Sequence, residues 1–252
     1  MNYLLKTVIR FFASWFLVFR NIFYEFFYQG RAVKKMEGGL ELFEKGYYKF
    51  DNVIDHIEVE NLRQDFKRLE TDNPPEKTGQ MTGRLYKNGP ISDLAEKYSL
   101  RFRPMAEAYF GSQNIRCELT MYQRSLPLTN RSDVPGGEFH VDDNKRNLKF
   151  FVYLTDVDKE HGPFCYVPET HGYRGYKTFL RWLLWEIFRK RRFLYEFLLI
   201  NEQLQKKEIS IYGKAGTCFC ADTTGYHRAS LVNNGMREVF VVSFTRNLLI
   251  NI

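Results

Sequence analysis

Wrapped at about 100° per residue, the first 29 residues separate into two faces. Leu4, Leu5, Val8, Phe12, Trp15, Phe16, Phe19, Phe23 and Phe26 fall on one, and Asn2, Lys6, Arg10, Ser14, Arg20, Asn21 and Glu25 on the other. The charges leave no run long enough to span a bilayer, and no small-residue cleavage site follows. The pattern predicts an amphipathic helix lying in a membrane interface, against the plainer reading of a terminal helix docked on its own domain. Gly30 to Gly39 reads as a basic linker. The chain thus divides into an anchor with linker, residues 1–35, and a domain over 36–252.

Within the domain, Tyr47 to Val53 predicts a short strand. A helix begins at Val59 and ends before Pro74-Pro75, and residues 76–92 read as a turn-rich loop. A second helix starts at about Ser92, a plausible N-cap with Glu96 nearby. Ile115 to Arg124 alternates as a strand does, and Leu148 to Leu154 is an apolar run of strand composition. Between His171 and Ile209 the strand pattern stops. Phe179 to Phe188 is helical by spacing, Arg189-Lys190-Arg191-Arg192 follows, and then Phe193 to Ile200. This predicts a helical insertion at about 173–208. Its charge run is either a solvated face or a basic, aromatic lid that gathers an anionic amphiphile. Glu238 to Phe244 reads as a strand buried on both faces.

Composition narrows the class. At 44% hydrophobic residues the chain can bury one core. A net charge of +7 implies an anionic partner, and with no nucleic-acid motif present, nucleic acid is not expected. Cys117, Cys165, Cys218 and Cys220 show neither a zinc spacing nor a disulfide framework. Free thiols suit a reducing compartment.

The chemistry gathers at Gly136-Gly137-Glu138-Phe139-His140-Val141-Asp142-Asp143. In extended chain, residues i and i+2 share a face, so His140 and Asp142 can reach one ion while Val141 turns away. By the same parity Asp143 is a local loop carboxylate. His227, in Gly225-Tyr226-His227-Arg228, is the best third ligand. Two histidines and one carboxylate with open positions is the arrangement of non-haem Fe(II) oxygenases. His56, His161 and His171 are expected to lie outside the site, His161 in a turn and His171 in a structural role.

Around these residues stand Tyr153-Leu154-Thr155-Asp156-Val157, Gly162-Pro163-Phe164 and Val167-Pro168-Glu169-Thr170-His171-Gly172, with Arg237 ten positions after His227. From Met121 to Thr245 the ordered set resembles the phytanoyl-CoA dioxygenase branch of the Fe(II)/2-oxoglutarate oxygenases. Glu169 departs from it where the family usually has glycine, and Val239 where related oxygenases often carry serine. The resemblance implies a mainly β fold with flanking helices, a double-stranded β-helix of the jelly-roll or cupin type. It implies an Fe(II)-dependent hydroxylase that consumes O2 and 2-oxoglutarate, with His140, Asp142 and His227 on the metal. Arg237 would grip the far carboxylate of 2-oxoglutarate through two parallel hydrogen bonds. Lys149 and Ser230 are secondary candidates for cosubstrate contacts.

The amphipathic N-terminus adds an expectation of work at an anionic membrane surface, the cytoplasmic face of an inner membrane, on an amphiphilic anionic substrate. In size and in this helix the chain is similar to bacterial hydroxylases of Kdo, the acidic inner-core sugar of lipopolysaccharide. A fatty-acyl substrate is the next expectation, and a catalytically silent barrel binding lipid or protein is the rival. Finally, Leu231 to Met236 reads as a hairpin turn. It predicts positive φ at Gly235, Leu231 paired with Arg237, and the Arg237 head group turned inward.

Overall fold

The computed structural model describes residues 33–50, 54–78, 81–127, 137–142, 146–172 and 206–246, together with Phe16. The expected N-terminal amphipathic helix, nearly all of the expected insertion at 173–208, and Asp143 lie outside the described residues. No described helix is long and apolar enough to cross a membrane.

After a single 3-10 turn at Val33–Lys35 come α1 (Gly39–Lys45), β1 (Tyr47–Phe50), α2 (His56–Asp72), β2 (Glu76–Thr78), β3 (Met81–Lys87), α3 (Asp93–Phe110) and β4 (Ile115–Ser125). Then follow β5 (Asn147–Tyr153), β6 (Phe164–Tyr166), β7 (Ile209–Ile211), β8 (Cys218–Asp222), β9 (His227–Ala229) and β10 (Arg237–Arg246). Seven strands form one antiparallel sheet in the order β1-β8-β5-β10-β4-β3-β2, and β7-β6-β9 form a second. The mainly β architecture with flanking helices, and its likeness to double-stranded β-helix proteins described below, agree with the expected fold class.

The helices begin where local chemistry satisfies their free N–H groups. Asp55 accepts from the Glu58 amide at 2.8 Å, so α2 starts at His56 rather than at Val59. The Ser92 hydroxyl accepts from the Ala95 amide at 3.1 Å, the expected cap of α3. Residues 76–92 are not one loop. Met81–Lys87 is a strand because it pairs along β4, Leu85 opposite Tyr122 and Arg84 opposite Gln123. Pairing with a long neighbour overrides a segment whose own alternation is weak.

Two apolar layers result. Between helices and large sheet lie Leu62, Phe66, Tyr98, Phe102, Tyr122, Phe150, Phe240 and Phe244. Between the two sheets lie Met121, Tyr153, Phe164, Phe219, Val239 and Val241. β10 feeds both, with alternate residues turning outward to the helices and inward to the small sheet. This is the strand expected to be buried on both faces. The inner layer contains the candidate site.

Candidate metal centre

His140 and His227 are held together by their own backbones. Each amide donates to the other's carbonyl at 3.0 Å, an antiparallel bridge that sets the rings 4.4 Å apart. The Asp142 amide donates to the Thr223 carbonyl at 3.1 Å, fixing the third residue against the end of β8. Val141 is fully buried and packs with Phe139, Val167 and Tyr226, away from the site. The alternation expected of this stretch is therefore present. His140 Nε2 lies 3.8 Å from Asp142 Oδ1, and His227 Nε2 lies 3.5 Å from Asp142 Oδ2. One ligand atom from each residue falls within 4.8 Å of the others.

The proton positions follow from the second nitrogen of each ring. His140 Nδ1 lies 2.9 Å from the Glu138 carbonyl, and His227 Nδ1 lies 2.9 Å from the Gly225 carbonyl. A carbonyl oxygen can only accept, so both Nδ1 atoms carry a hydrogen, and Nε2 is the nitrogen each ring turns towards Asp142 and has available to ligate. Such a contact orients a ligating imidazole and raises its basicity. Two neutral imidazoles and one carboxylate fit a divalent first-row ion.

Lys149, on the inward face of β5, places Nζ 2.7 Å from Asp142 Oδ2. Burial works against the charge of Asp142, but the fields of Lys149, His227 and His140 outweigh it. The carboxyl is held well below its usual range and stays ionised. Phe164 lies nearly parallel to the His227 ring, 5.5 Å away, and packs on Phe151 and Phe219. The apolar side of the site is thereby closed.

Arg237 heads β10 at 4% exposure, on the face shared with Val239 and Val241. Its guanidinium donates to the Gly162 carbonyl and, at 3.3 Å, to the Ser125 hydroxyl. Among the described residues it has no carboxylate partner. Burial pulls its pKa down, as expected for a cation with only neutral acceptors. The inward head group and the positive φ of Gly235 (68°) agree with the sequence reading, but the hairpin does not. Arg237 pairs with Ser125 of β4, not with Leu231. β9 belongs to the small sheet and β10 to the large one, so the Gly235 turn crosses between sheets.

Ser230 is not brought to the cluster. One position past β9, it has the parity of Arg228 rather than His227, and its hydroxyl lies 3.0 Å from Cys165 Sγ. His171, 1% exposed, faces the Phe43 carbonyl through Nε2 at 3.1 Å, and His161 Nδ1 meets Asp158 at 2.7 Å. Both stay outside the cluster. Sequence reasoning missed Ser125 beside Arg237, whose place depends on register. It also missed the orienting carbonyls, though each belongs to the residue two positions before its histidine.

The fold is similar to those of several solved proteins described as dependent on alpha ketoglutarate or solved with iron, nickel or 2-oxoglutarate bound. The chain resembles the non-haem alpha ketoglutarate dependent carbocyclase SnoK from nogalamycin biosynthesis, with a TM-score of 0.63 and 17% identity over 85% of this chain and 86% of that one. It also resembles EctD from S. alaskensis with bound Fe, with a TM-score of 0.58 and 13% identity over 86% and 79%. A third is HygX from Streptomyces hygroscopicus with nickel and 2-oxoglutarate bound, with a TM-score of 0.54 and 16% identity over 85% and 88%. No protein-family model and no curated protein sequence matches the chain.

Proposed function

We propose that the protein is an Fe(II)- and 2-oxoglutarate-dependent dioxygenase that hydroxylates an amphiphilic, anionic substrate at a membrane surface. The observation that carries this reading is the His140–Asp142–His227 cluster, with both Nε2 atoms facing the carboxylate. The fold likeness to proteins solved with iron, nickel or 2-oxoglutarate supports the choice of metal and cosubstrate.

Bound together, Fe(II) and 2-oxoglutarate supply an oxidation in which the cosubstrate and O2 become succinate and CO2 while a substrate C–H becomes C–OH. The chain's own part is positioning and exclusion of water. Lys149 holds one oxygen of Asp142 and so fixes the carboxylate's orientation. Among the described residues Arg237 is a buried guanidinium without a counter-ion, and the far carboxylate of 2-oxoglutarate would complete it. Phe151, Phe164 and Phe219 make the wall beside His227 that keeps the site dry.

For the substrate we propose the Kdo sugar of a lipopolysaccharide precursor, met at the cytoplasmic face of an inner membrane. The two-faced pattern of residues 1–29 and the net charge of +7 support an anionic surface. Purified protein supplied with Fe(II), 2-oxoglutarate and O2 should release succinate, and Asp142→Ala should release none. A wild-type chain that binds the metal but forms no succinate, with or without an extract of Kdo-bearing lipid, would leave the silent barrel as the better reading.

A further inference from the structure

Two cations face the space between the sheets, at opposite ends of the same floor. Lys149 of β5 stands opposite Ser243 of β10, and Arg237 heads β10. The stretch from Arg237 to Ser243 is about 20 Å of extended chain. Between them the inward side chains are Val239, Val241, Met121, Phe151 and Phe219, none of them charged. The cross-strand neighbours of Lys149 are Ser243 and Ala221, which carry no charge either. Its side chain is only 15% exposed, and its ion-pair partner is Asp142 of the metal cluster.

The oxygen that Lys149 meets is the one an ion needs. Lys149 Nζ lies 2.7 Å from Asp142 Oδ2, and the same oxygen lies 3.5 Å from His227 Nε2. Oδ2 is buried, yet among the described residues it accepts no hydrogen bond. The ammonium therefore meets it as a charge, and its lone pairs remain available to an ion. A divalent ion held by His140, Asp142 and His227 would share this carboxylate with Lys149. The two cations then repel one another in a half-dry space, where charges act more strongly than they do in water. One carboxylate cannot balance both. A dicarboxylate cosubstrate brings the negative charge that the ion and Lys149 together lack.

We propose that Lys149 couples the occupants of the site: its charge weakens the hold on the ion alone and strengthens the hold on ion and 2-oxoglutarate together. This deepens the functional reading above and rests on it. Lys149 is a positioning residue, acting through Asp142 and through its own field. The coupling is reciprocal, so whatever factor 2-oxoglutarate adds to ion affinity, the ion adds to 2-oxoglutarate affinity. Orientation and charge predict opposite signs when Lys149 is removed. A lysine that only orients Asp142 leaves a weaker ion site behind. A lysine that acts by charge leaves a tighter one, and the gain from 2-oxoglutarate shrinks.

The test is titration calorimetry of the full chain with Mn(II), which occupies the site without turnover, in the absence and in the presence of saturating 2-oxoglutarate. Wild type should bind Mn(II) at least about tenfold more tightly when 2-oxoglutarate is present. Lys149→Met should tighten Mn(II) alone by about threefold or more, and should cut the gain from 2-oxoglutarate by a similar factor. Lys149→Gln should give the same signs, and it carries the test if Lys149→Met does not fold. Lys149→Arg keeps the charge and should stay close to wild type in both measurements. Weaker binding of Mn(II) alone by the neutral variants, or an unchanged gain from 2-oxoglutarate, overturns the coupling. So does failure of both neutral variants to fold, which would give Lys149 a structural role. A wild-type chain that binds Mn(II) equally well with and without 2-oxoglutarate also overturns it. A wild-type chain that binds no Mn(II) at all overturns the functional reading instead, and that result appears in its own arm.

Discussion

Two carbonyl oxygens decide what the histidines can do. Because Glu138 and Gly225 each accept from an Nδ1, both rings are already turned with Nε2 towards Asp142 before an ion arrives. His227→Ala should therefore abolish tight Mn(II) binding, and equilibrium dialysis checks it. Arg237 should separate from this group. Arg237→Met should weaken 2-oxoglutarate binding by about tenfold or more, and Mn(II) affinity should stay near wild type, both read by calorimetry. The variant should also keep its thermal stability, because it removes a buried cation that has no carboxylate partner. The shared face of His140 and Asp142 was legible from the sequence because strand parity is a local fact, whereas the inward turn of Arg237 was expected from a hairpin pairing with Leu231 that the structure replaces with Ser125. Ser125 was not, since its place beside Arg237 comes from cross-strand register, and the face taken by Ser230, beside Cys165, follows from its pairing rather than from its distance along the chain.

Elements show the same division. Glu169 sits where the resembled family usually has glycine, and its φ is 65°, the one left-handed non-glycine among the described residues. The backbone shape is kept and its steric cost is borne by a residue with a Cβ. Glu169→Gly should accordingly raise stability by up to about 1 kcal/mol, part of the gain being offset by greater freedom in the unfolded chain. Chemical denaturation measures it, and a destabilised variant would contradict the strain argument. The capping of α3 and the doubly buried β10 could be read in advance from Ser92 and from an unbroken apolar run. β3 could not, because its partner β4 lies beyond a helix of 18 residues. Gly235 illustrates both sides: the glycine requirement was visible, but which two sheets the turn connects was not.

For the whole molecule, Asp222 is a sensitive joint. It is fully buried between the helices and the large sheet, with Tyr109 donating at 2.5 Å and the Thr224 hydroxyl at 2.6 Å, and Arg146 forms an ion pair with it, Nε 3.5 Å away. Burial opposes its charge, but Arg146, His171, Thr224 and Tyr109 outweigh it and hold the carboxyl below the usual carboxylate range. A depressed folded pKa contributes stability that is complete above the unfolded value, about 3.9, and is lost as pH falls through the folded value. Wild type should therefore lose stability below about pH 4 more steeply than Asp222→Asn, measured by denaturant titration across pH. At the same scale, removing residues 1–29 should release the protein from anionic vesicles and leave Mn(II) binding intact. Loss of folding on that truncation would favour a docked helix.

The central claim is that one ion and one 2-oxo acid assemble on His140, Asp142 and His227. Anaerobic titration of the full chain with Fe(II) and then 2-oxoglutarate tests it directly, through the visible charge-transfer absorption that arises only when the 2-oxo acid chelates the iron. Wild type should develop the band at one equivalent of Fe(II) and His227→Ala should not. A wild-type chain without the band, or a His227→Ala chain that keeps it, would contradict the account.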